Sequence, residues 1–127
     1  MEGHRRGVES TRECVRAASE LGIGYLTLYS FSSENWKRPP MEVDFLMGLL
    51  RRYIRRDLAD LHQKNIKVRV IGSEEGVPAD LVTMFREAVA LTAENTGMQL
   101  IIAFNYGARD EIVRAAKRLA HRVKSGP

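Results

Sequence analysis

Tyr25-Leu26-Thr27-Leu28-Tyr29-Ser30-Phe31-Ser32-Ser33-Glu34-Asn35-Trp36-Lys37-Arg38-Pro39 decides how the chain folds and where its chemistry lies. The first part is β-branched and aromatic, which predicts a strand over 24–30. Pro39 and Pro40 then open a helix over 41–63, marked by Val43, Leu46, Met47, Leu50, Ile54, Leu58 and Leu61 at helical spacing. Between strand and helix, one turn holds two serine hydroxyls, a carboxylate, an amide, an indole and a guanidinium. In open α/β sheets, ligands bind at the carboxyl ends of the strands. Arg offers a planar fork for phosphate oxygens and Ser a short neutral donor. The turn therefore reads as an oxyanion site, phosphate foremost, with an apolar wall. A structural use fits the same residues, with Trp36 as a core plug and Arg38 as a surface cation. The chemistry of the turn leaves both readings open.

Working outward, Val8, Thr11, Val15, Ala18 and Leu21 predict a first helix, with Gly22 at the position of a left-handed cap. Residues 66–71 alternate as a strand and stop at Gly72. Pro78 opens a helix carrying Leu81, Val82, Phe85, Val89 and Leu91, closed by Thr96-Gly97. Met98 to Phe104 is a nearly continuous apolar run, the pattern of a strand buried on both faces. After Asn105-Tyr106-Gly107, a last helix runs through Ile112, Val113, Ala116, Leu119 and Val123. The order α-β-α-β-α-β-α with short connections predicts an α/β fold, a parallel sheet flanked by helices. Three strands would leave both outer strands unpaired on one side, which soluble proteins avoid. The chain is expected to be the central portion of a larger single domain, without internal repeats.

At 127 residues the chain has a one-domain length. No apolar run approaches the ~20 residues of a membrane span. Met1-Glu2-Gly3-His4-Arg5-Arg6 is polar, unlike a signal peptide. The lone Cys14 excludes an internal disulfide and fits a reducing compartment; on the apolar side of its helix it is expected to be a small core residue. The net charge of +4 arises partly from Arg51, Arg52, Arg55 and Arg56, a face expected to be solvated. Nucleic acid would want interleaved aromatics or a reading module, and neither is present. Anionic lipid headgroups would suit such a face better.

Five segments together carry a resemblance: Gly3-His4-Arg5-Arg6-Gly7, Leu26 to Pro39, Val70-Ile71-Gly72, Ala90-Leu91-Thr92-Ala93-Glu94-Asn95-Thr96-Gly97 and Phe104 to Ile112. In this order, over nearly the whole chain, they resemble the cis-prenyltransferases, above all bacterial undecaprenyl diphosphate synthases. The Ser-Ser-Glu-Asn-Trp-x-Arg-Pro string is the most specific of them. The resemblance implies condensation of isopentenyl diphosphate onto an allylic diphosphate such as farnesyl diphosphate, with new double bonds cis and Mg2+ required. It implies a lipid carrier for cell-wall polymers as product, a homodimer, and a hydrophobic tunnel for the growing chain. The implied location is the cytoplasm, with peripheral contact at the inner membrane face.

The resemblance also implies what lies elsewhere. The family's Met-Asp-Gly-Asn-Gly-Arg-Trp loop, whose Asp handles magnesium, would precede Gly3-His4. Its isopentenyl diphosphate segment and a later metal-site Glu would follow Pro127. No metal ligand is therefore expected within this chain, and the chain alone is expected to be inactive. Ala108 stands where many members have a second Gly. By resemblance, His4, Ser32, Ser33, Glu34, Trp36 and Arg38 bind substrate. His4 would stand just before a helix N-terminus, Glu34 would orient Arg38 or a neighbouring amide, and Arg38 would clamp a diphosphate. Asn35 is the catalytic position; a neutral amide is a poor base, so it is read as the orienter of a pyrophosphate oxygen that takes the C2 proton of the isopentenyl unit. Glu42, Asn105 and Tyr106 are expected to support these residues from behind, although Glu42 also suits a plain helix N-terminus and Tyr106 a subunit interface. Leu46, Met47, Leu50 and Ile54 are the candidate tunnel wall. The alternative is a non-catalytic prenyltransferase-like subunit, against which the retention of His4, Ser32, Asn35, Trp36 and Arg38 speaks.

Overall fold

The computed structural model describes residues 2–126. Its elements are α1 (Glu2–Glu20), β1 (Tyr25–Ser32), a 3-10 turn (Ser33–Lys37), α2 (Pro40–Gln63), β2 (Lys67–Ile71), α3 (Ala79–Leu91), β3 (Gln99–Tyr106) and α4 (Ala108–Ser125). The order is the one the sequence predicts, and α1 ends as Gly22 requires. Gly22 adopts φ +77, Ile23 N donates to Ala18 O at 3.1 Å, and Gly22 N donates to Ser19 O at 3.2 Å. That pair of bonds satisfies carbonyls the helix end would leave orphaned.

The sheet is parallel in the order β1-β3-β2. Register sets Leu26 beside Leu100 and Leu28 beside Ile102, while Val68 and Val70 flank the same two residues from β2. Side chains alternate along a strand, so these residues share one face. Onto that face pack Val15 and Ala18 of α1, Val43, Met47, Ile54 and Leu61 of α2, and Leu81, Phe85 and Ala88 of α3, forming one core. An aromatic run extends it toward the carboxyl ends of the strands: Phe85 to Phe104 (5.1 Å between centroids), Phe104 to Phe31 (5.3 Å), Phe31 to Trp36 (4.8 Å).

Three expectations are corrected here. The opposite face of the sheet is open: Tyr25, Thr27, Tyr29, Arg69 and Ile71 are exposed and Ile101 is only half-buried, so β3 is covered on both sides only near Ala103 and Asn105. Helix α4 buries no residue, and its apolar positions Ile112, Val113, Leu119 and Val123 face solvent. Cys14 is exposed, because the buried stripe of α1 runs through Val15 and Ala18 instead.

Two hinges of the fold need glycine or a left-handed residue. Asn65 takes φ +62 after α2 and its carbonyl receives Gly97 N at 2.9 Å. Gly72, at the end of β2, has φ +120, and any Cβ there would overlap the Phe104 carbonyl. Gly72→Ala is therefore expected to cost about 3 kcal/mol or more, read as a lower urea midpoint at unchanged slope. Gly76→Ala, at φ +77 with open space around it, should cost only about 1 kcal/mol.

Candidate functional site

The strands end together, and the residues of the decisive turn collect there. Pairing between β1 and β3 is irregular between Tyr29 and Phe31 and again between Phe31 and Ser32. These bulges let Phe31 enter the core while Ser32 and Ser33 stay half-buried at the surface. Ser32 closes β1, and its N–H donates to Asn35 Oδ1 at 2.9 Å, which fixes the turn. The Asn35 amide nitrogen makes no hydrogen bond among the described residues. Ser33 lies against Gly107, where a Cβ would meet its hydroxyl and make it turn away.

Asn105, near the end of β3, joins the loops after β1 and β2. It is 4% exposed and holds φ +53, a conformation that Asn tolerates better than most residues. Its Oδ1 accepts from Trp36 Nε1 at 2.7 Å. Its Nδ2 donates to the carbonyls of Ser73 and Glu75, both at 2.9 Å. Trp36 is both core packing and a bonded part of the turn. Tyr106 pairs with Tyr29: the Tyr29 hydroxyl donates to Tyr106 O at 2.8 Å and the rings meet edge-on at 5.9 Å.

A charged corner stands beside this turn. Arg38 Nη1 donates to Glu42 Oε1 at 2.7 Å, and His4 Nε2 lies 3.1 Å from the same oxygen. Glu42, not Glu34, is the partner of Arg38; Glu34 is exposed and makes no ion pair among the described residues. The spacing explains it, since residues 38 and 42 are one helical turn apart where Pro40 starts α2. His4 lies within the first turn of α1, not ahead of it. The Arg38 hydrogen bond, then that of His4, holds the Glu42 carboxyl below its ordinary range. Half of the Arg38 side chain remains exposed, so donors are left for a ligand.

From His4 an apolar cavity of about 320 Å³ runs between α1, α2 and the sheet, past Val8, Leu28, Phe31, Leu46, Leu50 and Phe104. Leu46 and Leu50 face it as expected, whereas Met47 and Ile54 turn into the core. Leu49 and Tyr53 take their places on the wall. Both follow Leu46 at i+3 and i+7, a signal present in the sequence. Also missed were Arg5 and Phe45: the guanidinium lies 5.7 Å from the Phe45 centroid, and the His4 ring 6.3 Å from it. No group of three or more His, Cys, Asp or Glu side chains converges on a metal position among the described residues.

Residues 1–126 match the family model described as "Putative undecaprenyl diphosphate synthase". The isoprenyl transferase of Agrobacterium fabrum is 57% identical over 124 residues, 98% of this chain and 50% of that protein. The isoprenyl transferase of Bacillus subtilis is 49% identical over 98% of this chain and 48% of its own length. The chain thus spans about half the length of the curated relatives it matches. The crystal structure of lavandulyl diphosphate synthase from Lavandula x intermedia, in complex with dimethylallyl diphosphate, superimposes with a TM-score of 0.92. It is 38% identical, over 98% of this chain and 54% of that one.

Two outcomes follow from the geometry. Trp36 is the only tryptophan, so its emission reports on the Asn105 clamp. Asn105→Ala should shift that emission to the red and lower stability by about 2 kcal/mol, because the carbonyls of Ser73 and Glu75 and the indole lose their partner together. Glu42 contributes stability above the ordinary glutamate pKa, and that contribution is lost as pH falls through its depressed folded value. A carboxyl-carbon NMR titration should place its midpoint below the ordinary glutamate value, and Arg38→Ala should raise it.

Proposed function

The chain belongs to the undecaprenyl diphosphate synthase family of cis-prenyltransferases, and from that premise we propose that its site holds a prenyl diphosphate. The diphosphate lies at the Arg38–Glu42–His4 corner and the tail in the apolar cavity. The observation that carries this reading is that His4 belongs to both, lining the cavity and touching Glu42. An amphiphile with a doubly charged head and an isoprenoid tail matches such a junction; a free phosphate would leave the cavity without purpose.

In the reaction proposed for the whole protein, the allylic C1–O bond of farnesyl diphosphate breaks and diphosphate leaves. C4 of isopentenyl diphosphate bonds to that carbon, and the C2 proton departs to a diphosphate oxygen. Arg38 meets the charge that develops on the leaving group, a task suited to a permanently charged fork. Ser32 and Ser33 add neutral donors. Asn35, whose carbonyl oxygen is engaged by Ser32, has its amide nitrogen left to hold the oxygen that receives the proton. Repetition gives a long cis-polyprenyl diphosphate, the carrier lipid for cell-wall synthesis. Mg2+, a homodimer and work at the inner membrane face belong to the same proposal. The residues described here do not fit a metal site, and no step above runs through one. No described helix is long and apolar enough to cross a membrane.

The test replaces the corresponding segment of the Agrobacterium fabrum isoprenyl transferase with this chain and supplies farnesyl diphosphate, radiolabelled isopentenyl diphosphate and magnesium. Label is expected in butanol-extractable lipid with the chimera and not with the 127-residue chain alone. Arg38→Ala should lower the rate about 100-fold or more. A folded chimera that leaves all label in water would sink the proposal.

A further inference from the structure

Gly7 is a residue that the packing of the chain does not ask for. It stands in the interior of α1, where glycine weakens a helix relative to Ala because its backbone loses more freedom on folding. A close neighbour or a left-handed backbone is the usual reason to keep glycine in such a place. Neither holds here: Gly7 is not among the glycines of positive φ, and a Cβ on it would meet no atom within 4 Å. Gly7 does line the apolar cavity, together with His4, Val8 and Thr11 of the same helix. Positions 4, 7, 8 and 11 make one helical face, so a side chain at 7 would stand out from that wall into the cavity.

The wall around Gly7 suits hydrocarbon. Thr11 Oγ1 donates to Gly7 O at 2.8 Å, so the hydroxyl on this face of α1 is turned onto the backbone and needs no water. The other walls carry Leu28 and Phe31 of β1 and Leu46 and Leu50 of α2. His4, which touches Glu42 at the charged corner, precedes Gly7 by three residues, about 4.5 Å along the helix axis. In an allylic diphosphate the first methyl branch is on C3, the third carbon from the diphosphate oxygen, which is a similar span. With the diphosphate at the corner, that branched carbon falls level with Gly7. Farther along α1 the wall is carried by the β-branched side chains of Val8 and Thr11, which narrow it.

We propose that the absent side chain at Gly7 makes room for the first isoprene unit of the ligand, whose C3 methyl enters the space a Cβ would fill. Gly7 is then a specificity-determining residue at the head of the cavity, selecting a branched allylic chain over a straight alkyl chain of equal length. This inference rests on the prenyl diphosphate reading given above, and its test separates the two.

Gly7→Ala and Gly48→Ala are compared with the native 127-residue chain. Gly48 lies inside α2 with equally open space around it, and it does not line the cavity. Both substitutions should raise the urea midpoint, because each replaces a helix-interior glycine by Ala. The three proteins are titrated calorimetrically with inorganic diphosphate, farnesyl diphosphate and dodecyl diphosphate, the last a straight chain of the same main-chain length. The native chain and Gly48→Ala should bind farnesyl diphosphate more tightly than dodecyl diphosphate. In Gly7→Ala the affinity for farnesyl diphosphate should fall about tenfold, as for a methyl group forced into occupied space, and that for dodecyl diphosphate by less than about twofold. Affinity for inorganic diphosphate should be equal in all three. A farnesyl affinity unchanged in Gly7→Ala, or an equal loss for both chains, overturns the role of Gly7 and leaves the prenyl diphosphate reading intact. A Gly7→Ala chain less stable than the native one overturns it too, since packing would then require the glycine. Affinities that ignore the tail in every protein overturn both.

Discussion

Asn105 holds two loops to the end of β3 with one side chain, and the candidate site depends on it. A parallel sheet delivers its strands to a common edge but leaves the connections leaving that edge without any mutual order. Here the loop after β1 is fixed through Trp36, the loop after β2 through the carbonyls of Ser73 and Glu75, and β3 supplies the amide itself. A buried amide of this kind is stable only when both its ends are satisfied, which makes it a strict test of loop position. The left-handed backbone at Asn105 and the contact between Ser33 and Gly107 are the local costs of bringing the loops this close.

The position of the polar turn follows from the same clamp. Trp36 has its nitrogen on Asn105 and its ring against Phe31, so the indole is both the last member of the aromatic run and the first member of the site. Were it only a plug, its N–H would need no partner at that edge. Were it only a ligand wall, the stacked run from Phe85 through Phe104 to Phe31 would end in solvent. Packing the ring against Phe31 and bonding its nitrogen to Asn105 are one arrangement, and it holds Ser32, Asn35 and Arg38 in the turn around the indole.

How much was legible in the sequence depended on whether the signal was local. Periodicity placed all seven helices and strands, because apolar spacing and capping residues such as Gly22 and Pro39 act within a turn or two. It put the end of the first strand two residues short, at 30 and not Ser32, because the bulges that lengthen β1 arise from pairing with β3. It offered Glu34 as the orienter of Arg38 or of a neighbouring amide, and of these Arg38 is taken by Glu42, which the start of α2 brings to it across one helical turn. Cys14 and the stripe of α4 were misjudged for a related reason: amphipathic spacing tells which side of a helix is apolar, but not whether another element covers that side. The role of Asn105 needs a contact 69 residues apart, and no window of sequence contains it.

The polar groups beside the cavity are arranged in two sets. At one end the charges of His4, Arg38 and Glu42 are half-exposed, where water screens them and a charged ligand group can replace that water at modest loss. At the other end Asp57 is buried, with Arg12 and Arg56 against it. A buried carboxylate is expensive unless it fixes something, and what this one fixes is the spacing of α1 and α2, the two helices that wall the channel. An apolar slot between two helices would otherwise be free to close on itself, since Leu46, Leu50 and Val8 gain more from touching one another than from facing an empty space. The Arg12–Asp57 pair at one end and the His4–Glu42 contact at the other tie α1 to α2 across the slot.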